Sequence, residues 1–119
     1  MFWRRVFSTA KLGAAGERRA AWFYRLRGWT IVARNVRSRG GEIDLIVRRG
    51  RTLAFVEVKA RGSAEAAEFA LDEWRLRRVV VAAEQLAPRY MREGDEVRID
   101  AMLIVSRRWP KHLPNVWQG

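Results

Sequence analysis

The sequence predicts an α/β domain in which a mixed β-sheet is flanked by helices. Two apolar runs, residues 42–47 and 53–59, flank a short turn that contains Gly50, which is typical of a β-hairpin. A helical stretch precedes this hairpin, and a long alanine-rich stretch separates it from a further alternating run. A hairpin joined through a helix to another strand predicts the order α-β-β-β-α-β, with a final short strand or tail.

The first half of the chain begins with a basic arm, residues 1–12, before a single domain over residues 13–119. The first helix is predicted over residues 13–27, because Gly28 is suited to a C-terminal cap. The first strand follows over residues 29–36, where apolar and polar side chains alternate.

In the second half, Leu76, Val79, Val80 and Ala83 recur at helical spacing, and this pattern continues to about Ala87. Pro88 is expected to end or kink that helix. Residues 64–71 fit either helix or loop. Strict alternation predicts a strand over residues 96–105, and residues 113–117 form a closing strand or tail.

Composition limits the classes of function. The 119 residues are 49% hydrophobic and 31% charged, as expected for one globular domain. The absence of cysteine excludes disulfides and thiolate chemistry, and His112 is the only histidine, which excludes histidine-based metal sites and triads. No segment is predicted to be a signal peptide or a membrane span, so a cytoplasmic location is the default expectation.

The net charge of +11 indicates a polyanionic partner, of which nucleic acid is the usual one. An acidic membrane surface is a weaker alternative, because no segment combines a basic face with a long apolar face.

The hairpin places charges inside apolar runs, where a charge is costly unless it is paired or holds a metal. A two-residue turn at Gly50-Arg51 would make Asp44 face Glu57 and Glu42 face Lys59. Asp44, Glu57 and Lys59 then project to one side of the sheet. Facing carboxylates repel and require a cation such as Mg²⁺. From spacing alone, a half-exposed hairpin with solvated charges is equally favoured.

Other polar residues near this hairpin have two interpretations each. Glu17 lies on one helical face with Ala20 and Tyr24. Its carboxylate is explained by the helix dipole alone, or it is a third acidic group aimed at the metal. Arg34 and Asn35 either contact a phosphate or satisfy the turn that follows them. That turn carries two further arginines, Arg37 and Arg39, and is either a solvated loop or a phosphate contact.

One further acidic residue, Asp100, interrupts the last long strand on the face opposite to its apolar residues. We interpret it as a structural residue that pairs with an arginine.

The sequence GEIDLIV over residues 41–47, followed by FVEVKAR over residues 55–61, resembles the metal-binding core of the PD-(D/E)XK nuclease superfamily. More closely, the chain is similar to the YraN family of small bacterial proteins, which are described as related to Holliday junction resolvases. The similarity continues through residues 16–17, 34–35, 98–100 and 112–117, and so covers nearly the whole chain after the first dozen residues.

This resemblance implies a restriction-endonuclease-like core and a Mg²⁺-dependent (or Mn²⁺-dependent) endonuclease acting on branched or structured DNA. It implies that Asp44, Glu57 and the Val58 carbonyl bind the metal, that Glu17 supports the metal or a water, and that Lys59 orients the attacking water. Arg61 and Arg75 join the arginines named above as expected nucleic-acid contacts; Arg75 stands near a position where the family pattern has a lysine. A homodimer is expected by analogy with resolvases.

Two other functions remain open at this point. One is a nucleic-acid-binding module that keeps the nuclease fold without turnover, and the other is a basic assembly protein whose acidic cluster is only structural. The combination of Asp44, Glu57 and Lys59 favours the nuclease, because a binding module has no evident need for facing carboxylates.

Overall fold

A computed structural model of the chain describes the backbone of residues 2–61, 73–105 and 107–117, and the side chains of residues 14–60, 76–105 and 107–117. Its elements are α1 (Phe2–Leu26), β1 (Thr30–Ser38), β2 (Gly41–Arg49), β3 (Thr52–Arg61), α2 (Glu73–Tyr90), β4 (Glu96–Val105) and β5 (Lys111–Leu113). The predicted α/β order is therefore confirmed, including a short final strand.

The strands form one mixed sheet in the spatial order β1-β2-β3-β4-β5. Strands β3 and β4 run parallel, and all other neighbours are antiparallel. A parallel pair requires a long crossover connection, and α2 lies within the connection between β3 and β4. The central strand β3 is thus flanked by β2, its hairpin partner, and by β4.

The two helices cover different faces of the sheet. Alternation along β3 places Val56 in the hydrophobic cluster under α1, with Tyr24 of that helix, and Phe55 in the cluster under α2, with Leu86. Helix α1 approaches β3 very closely at Gly16, where a Cβ atom would lie 2.6 Å from the Cβ of Ala60. Glycine at this position therefore allows the start of the buried helical face to rest directly on the sheet.

Three predicted boundaries are wrong. Helix α1 begins at Phe2, not at residue 13, because residues 2–12 contain no glycine or proline to interrupt it. The helix predicted to end at about Ala87 extends to Tyr90, so Pro88 does not end it; because only two helical residues follow the proline, little of the helix depends on the geometry beyond it. The closing strand is Lys111–Leu113 and ends before Pro114, which cannot donate a ladder hydrogen bond. The division into an arm and one domain stays a prediction.

Asp100 joins α1, β4 and β5 through a buried network. Its carboxylate accepts hydrogen bonds from the Tyr24 hydroxyl at 2.9 Å and the Asn115 N–H at 3.0 Å, and it lies 2.8 Å from His112 Nε2. The predicted arginine pairing is confirmed, since Arg98 Nε lies 2.9 Å from its Oδ1. Burial acts to raise the pKa of Asp100, but the hydrogen bonds from His112, Asn115, Arg98 and Tyr24 hold that pKa below its ordinary value.

No helix in the described part of the chain is both long enough and apolar enough to cross a membrane. The cytoplasmic location stays a prediction.

Candidate functional site

The predicted site lies where β2 and β3 separate. The two-residue turn is as predicted, with Arg49 paired to Thr52, and the ladder continues to Leu45 and Val56. There it ends, and the Oδ2 atom of Asp44 accepts a hydrogen bond from the Val58 N–H at 2.7 Å. A side-chain carboxylate thus takes the place of a main-chain acceptor and is fixed in orientation by β3.

The predicted facing pairs beyond this point are therefore wrong. Asp44 and Glu57 are not ladder partners, and neither are Glu42 and Lys59, because the ladder between β2 and β3 stops before them. Glu42 instead pairs with Arg37 on β1, at 3.8 Å between the charged groups.

Asn35 on β1 lies beside the point where β2 and β3 separate. Its neighbours pair with β2 as Arg34 with Leu45 and Val36 with Ile43, so Asn35 lies opposite Asp44. Asn35 has a φ of 49°, in the left-handed region that asparagine tolerates better than most residues.

Alternation along both strands changes phase at this level. On β1, Ala33 and Val36 both pack against the cluster under α2, and on β2 both Ile43 and Ile46 belong to that cluster, although each pair is three residues apart. The change of phase coincides with Asp44, and the residue is only partly buried while its neighbours on β2 are buried.

Asn35 also contacts Glu17 of α1. In the amide orientation that satisfies hydrogen bonding, its side-chain nitrogen lies 3.3 Å from both carboxylate oxygens of Glu17. The structure therefore brings the predicted helical glutamate to the part of β1 that faces Asp44. A phosphate contact by Asn35 stays a prediction.

Glu57 and Lys59 share one face of β3, as predicted from their spacing. The Lys59 ammonium lies 2.6 Å from Oε1 of Glu57, and their side chains are only 18% and 10% exposed. A close charge pair in such a shielded position interacts more strongly than one on the surface.

The carboxylates of the site influence one another. The pKa of Asp44 is raised to about 7, first by burial and then by the neighbouring carboxylates of Glu57 and Glu17, while the Val58 N–H and Lys59 act in the opposite direction. We define the acidic site as Glu17, Asp44, Glu57 and Lys59. Three carboxylates and one ammonium leave an excess of negative charge, which attracts a cation.

Among the described residues, no group of three or more acidic or histidine side chains could hold a metal ion by itself. That Asp44, Glu57 and the Val58 carbonyl bind a metal at the acidic site therefore stays a prediction. Because the N–H and C=O of a strand residue project to the same side of the strand, the Val58 carbonyl points toward β2, as its N–H does. This set fits Mg²⁺, which is usually bound through one or two carboxylates together with waters and substrate phosphates.

The predicted phosphate contacts Arg34, Arg37 and Arg39 are exposed on β1 and its turn into β2. That turn is held against α2, because the Gly40 N–H donates to Oε1 of Gln85 at 2.7 Å. A phosphate contact by these arginines stays a prediction. The side chains of Arg61 and Arg75 lie outside the described residues.

Comparison with known protein families decides what the chain is related to. The model of the uncharacterised protein family UPF0102 matches residues 16–104. The chain belongs to this family.

UPF0102 proteins from several bacteria are similar over almost their whole length. The relative from Rhizorhabdus wittichii is 60% identical over 107 residues, which cover 90% of this chain and 91% of the relative. The relative from Sphingopyxis alaskensis is 56% identical over 106 residues, covering 89% and 91%, and that from Parvibaculum lavamentivorans is 49% identical over 109 residues, covering 91% and 82%. The resemblance to the YraN family is thereby confirmed.

The UPF0102 match includes every residue of the acidic site, and also Asn35 and Asp100, but it ends before His112. Sequence reasoning missed two arrangements in this chain, the contact of Asn35 with Glu17 and the link of His112 to Asp100. An asparagine inside an otherwise apolar and basic strand was the available signal for the first, since asparagine is enriched at left-handed positions. The second depends on residues far apart in sequence and has no local signal.

Proposed function

We propose that this UPF0102 protein is a metal-dependent endonuclease that hydrolyses phosphodiester bonds in branched or structured DNA. The observation that carries this proposal is the acidic site itself. Asp44 is oriented by a main-chain N–H, lies within electrostatic reach of Glu57 and Glu17, and has its pKa raised to about 7 by burial and by these neighbours. Such an arrangement is unfavourable for folding alone, and perturbed carboxylates in one cluster are typical of functional sites.

Asp44, Glu57 and the Val58 carbonyl are the groups that would hold a divalent ion. When bound, Mg²⁺ or Mn²⁺ polarises a phosphoryl oxygen and lowers the pKa of a coordinated water. The protein supplies the rest of the site: Val58 fixes the Asp44 carboxylate, and Asn35 holds Glu17 through its amide.

Lys59 provides the positive charge that the reaction requires on the protein side. Its ammonium is held 2.6 Å from Glu57 and is mostly shielded from solvent, so its position is well defined. In this position it stabilises negative charge that develops on a phosphate oxygen and orients the attacking water. Glu17, on the neighbouring helix, accepts a proton or a hydrogen bond from a water molecule.

The net charge of +11 supports a nucleic-acid substrate, and the resemblance to Holliday junction resolvases favours DNA. Exposed Arg34 and Arg37 on β1 and Arg39 in the turn that follows it neutralise phosphates of the bound DNA. Binding is accordingly expected to weaken steeply with salt.

One observation favours the alternative of a nucleic-acid-binding module without turnover. The 2.6 Å ion pair with Lys59 already occupies one oxygen of Glu57, and this pair competes with a metal ion for that carboxylate. In such a module the Lys59–Glu57 pair stabilises the sheet, and DNA binding does not depend on metal.

Cleavage of labelled DNA distinguishes the two functions. Four-way junction, flap, single-stranded and duplex substrates are incubated with Mg²⁺, Mn²⁺ or EDTA. We expect metal-dependent cutting by the wild type and a loss of about 100-fold or more in Asp44→Asn and Lys59→Met. Glu96→Gln, which removes an exposed carboxylate at the start of β4, is the matched control and should cut normally.

The nuclease proposal fails if both site variants cut at the wild-type rate or if cutting persists in EDTA. Tight, salt-sensitive binding without cutting, unchanged by either variant and by EDTA, identifies the binding module instead.

A further inference from the structure

A second surface, separate from the acidic site, combines exposed aromatic rings with positive charge. We define the tryptophan surface as Trp22 and Leu26 of α1 together with Trp109, which follows β4. These side chains are 59%, 72% and 78% exposed. A cavity of about 180 Å³ lies between them, lined also by Arg19, Phe23, Arg27 and Pro110. Single exposed apolar residues are common, but a contiguous group with a cavity indicates a binding surface.

The two parts of this surface are fixed relative to each other. The Arg19 guanidinium donates hydrogen bonds to the carbonyl of Val105, at 3.2 Å, and to that of Arg108. These bonds attach the segment that carries Trp109 to α1. Phe23 lies beneath the cavity, with its ring edge-on to His112 at 5.4 Å between centroids. The two exposed tryptophans are therefore presented on a preformed support, which lowers the entropy cost of binding.

The two chain segments that form this surface carry charge of one sign. Residues 18–28 and 107–117 contain no aspartate or glutamate, and their basic residues are Arg18, Arg19, Arg25, Arg27, Arg107, Arg108 and Lys111. The Arg25 guanidinium lies 5.4 Å from the centre of the Trp22 ring, so a cation stands beside an exposed aromatic plane. A second copy of the chain is a poor partner here, because two such faces repel each other.

We propose that the tryptophan surface binds a single-stranded stretch of nucleic acid, with bases stacked on Trp22 and Trp109 and phosphates neutralised by the surrounding arginines. Proteins that bind single strands without sequence preference combine these two features, an aromatic platform and a positive groove. An acidic protein would complement the charge but would not explain the two flat rings.

The inference rests on the proposed nucleic-acid function, and the position of the surface relates it to the acidic site. Glu17 and Trp22 lie on the same helix, about 7 Å apart along its axis. Glu17 is on the side of α1 that approaches β1, whereas Trp22 faces solvent. A single strand that leaves a branched substrate at the acidic site can therefore pass around α1 to the tryptophan surface.

Binding in EDTA tests this inference without cleavage. Fluorescence anisotropy is measured with a labelled oligothymidine strand and with a blunt duplex, for wild type, Trp22→Ala, Trp109→Ala and Trp109→Phe. We expect each alanine variant to weaken single-strand binding about 5- to 100-fold, with a much smaller effect on the duplex, and Trp109→Phe to retain most of the affinity. Met91→Ala removes an equally apolar exposed side chain at the end of α2 and should change neither. Thermal melts followed by circular dichroism establish that each variant is folded.

Unchanged single-strand binding in both folded alanine variants overturns the inference. It is equally overturned if the two variants instead lose binding to phosphatidylserine vesicles, or lose self-association in sedimentation, while single-strand binding stays the same. The outcome is separable from that of the nuclease test. If binding depends on the tryptophans but the protein never cuts DNA, the single-strand surface is supported and the nuclease proposal fails. If the protein cuts DNA but binding does not depend on the tryptophans, the nuclease proposal is supported and the single-strand surface fails.

Discussion

The carboxylates of the acidic site should lower the folding stability of the metal-free protein, and Asp44→Asn should restore part of that stability. Asparagine has nearly the shape of a protonated aspartate, and its side-chain oxygen can accept the hydrogen bond that the Val58 N–H donates at 2.7 Å. It removes the charge that Glu57 and Glu17 oppose. We therefore expect Asp44→Asn to raise the free energy of unfolding at pH 8 in EDTA, although the same substitution should abolish cleavage.

The expected magnitude follows from the pKa of Asp44, which burial and the neighbouring carboxylates raise from 3.8 to about 7. Between these two values the folded state binds more protons than the unfolded state, so the free energy of unfolding falls as the pH rises. A rise of about 3 in the pKa corresponds to about 4 kcal/mol, because each pKa unit is worth about 1.4 kcal/mol. This loss of folding stability is absent below pH 3.8 and complete above pH 7.

Urea unfolding of both proteins at pH 4, 6 and 8 in EDTA measures this difference. Asp44→Asn should exceed the wild type by roughly 2–4 kcal/mol at pH 8 and match it at pH 4. Asp95→Asn is the matched control, and it should lower the free energy of unfolding where Asp44→Asn raises it. Hydrogen bonds from Arg48 and from the Arg92 N–H lower the pKa of Asp95 to about 2, so its contribution is present above pH 3.8 and is lost as the pH falls toward 2. Added Mg²⁺ should stabilise the wild type at pH 8 more than Asp44→Asn. If Asp44→Asn is no more stable than wild type at pH 8, the description of a mutually repelling site is wrong.

Three further predictions concern packing and positioning. Asp100→Asn should lower the free energy of unfolding by about 3–5 kcal/mol, because it removes the buried carboxylate charge that pairs with the Arg98 guanidinium. Tyr24→Phe should cost only about 1 kcal/mol, because it removes a single hydrogen bond to that carboxylate. Urea unfolding measures both, and equal effects would contradict a shared buried network. Gly16→Ala should lower the free energy of unfolding by about 1–3 kcal/mol, because the added methyl group overpacks the contact with Ala60. Adding Ala60→Gly to this variant should recover part of the loss, and thermal melts of the two single variants and the double variant measure it. Asn35→Gly keeps a left-handed backbone but loses the amide that contacts Glu17. Metal-dependent cleavage should therefore fall about 10-fold while the melting temperature changes little. Normal cleavage by this variant would exclude a positioning role for Asn35.

Much of the sheet could be predicted because its determinants are local. The turn at Gly50-Arg51 fixes the first pairs of the hairpin, and apolar residues at alternate positions identify β4, although this strand is buried on both faces from Ile99 onward. Spacing alone also placed Glu57 and Lys59 on the same face of β3.

The geometry around Asp44 could not be predicted in the same way. Extending the hairpin by counting assumes that alternation continues, whereas Asn35 adopts a left-handed conformation on the neighbouring strand and the ladder between β2 and β3 ends. The pairing of Asp100 with an arginine was predicted, but its contact with Tyr24 was not, because the two residues are 76 positions apart. Local patterns contain no information about such distant partners.

The Asp100 network has a consequence for synthesis of the protein. Tyr24 and His112, 88 residues apart in sequence, meet at the same buried carboxylate, and the Asn115 N–H also donates to it. Until residues 112–115 have been translated, Asp100 has Tyr24 and Arg98 but lacks His112 and the Asn115 N–H, so its burial among apolar side chains is less favourable than in the complete network. The sheet is therefore expected to close only after this segment has left the ribosome. Incomplete chains that end before it should remain open, and cellular proteases should remove them.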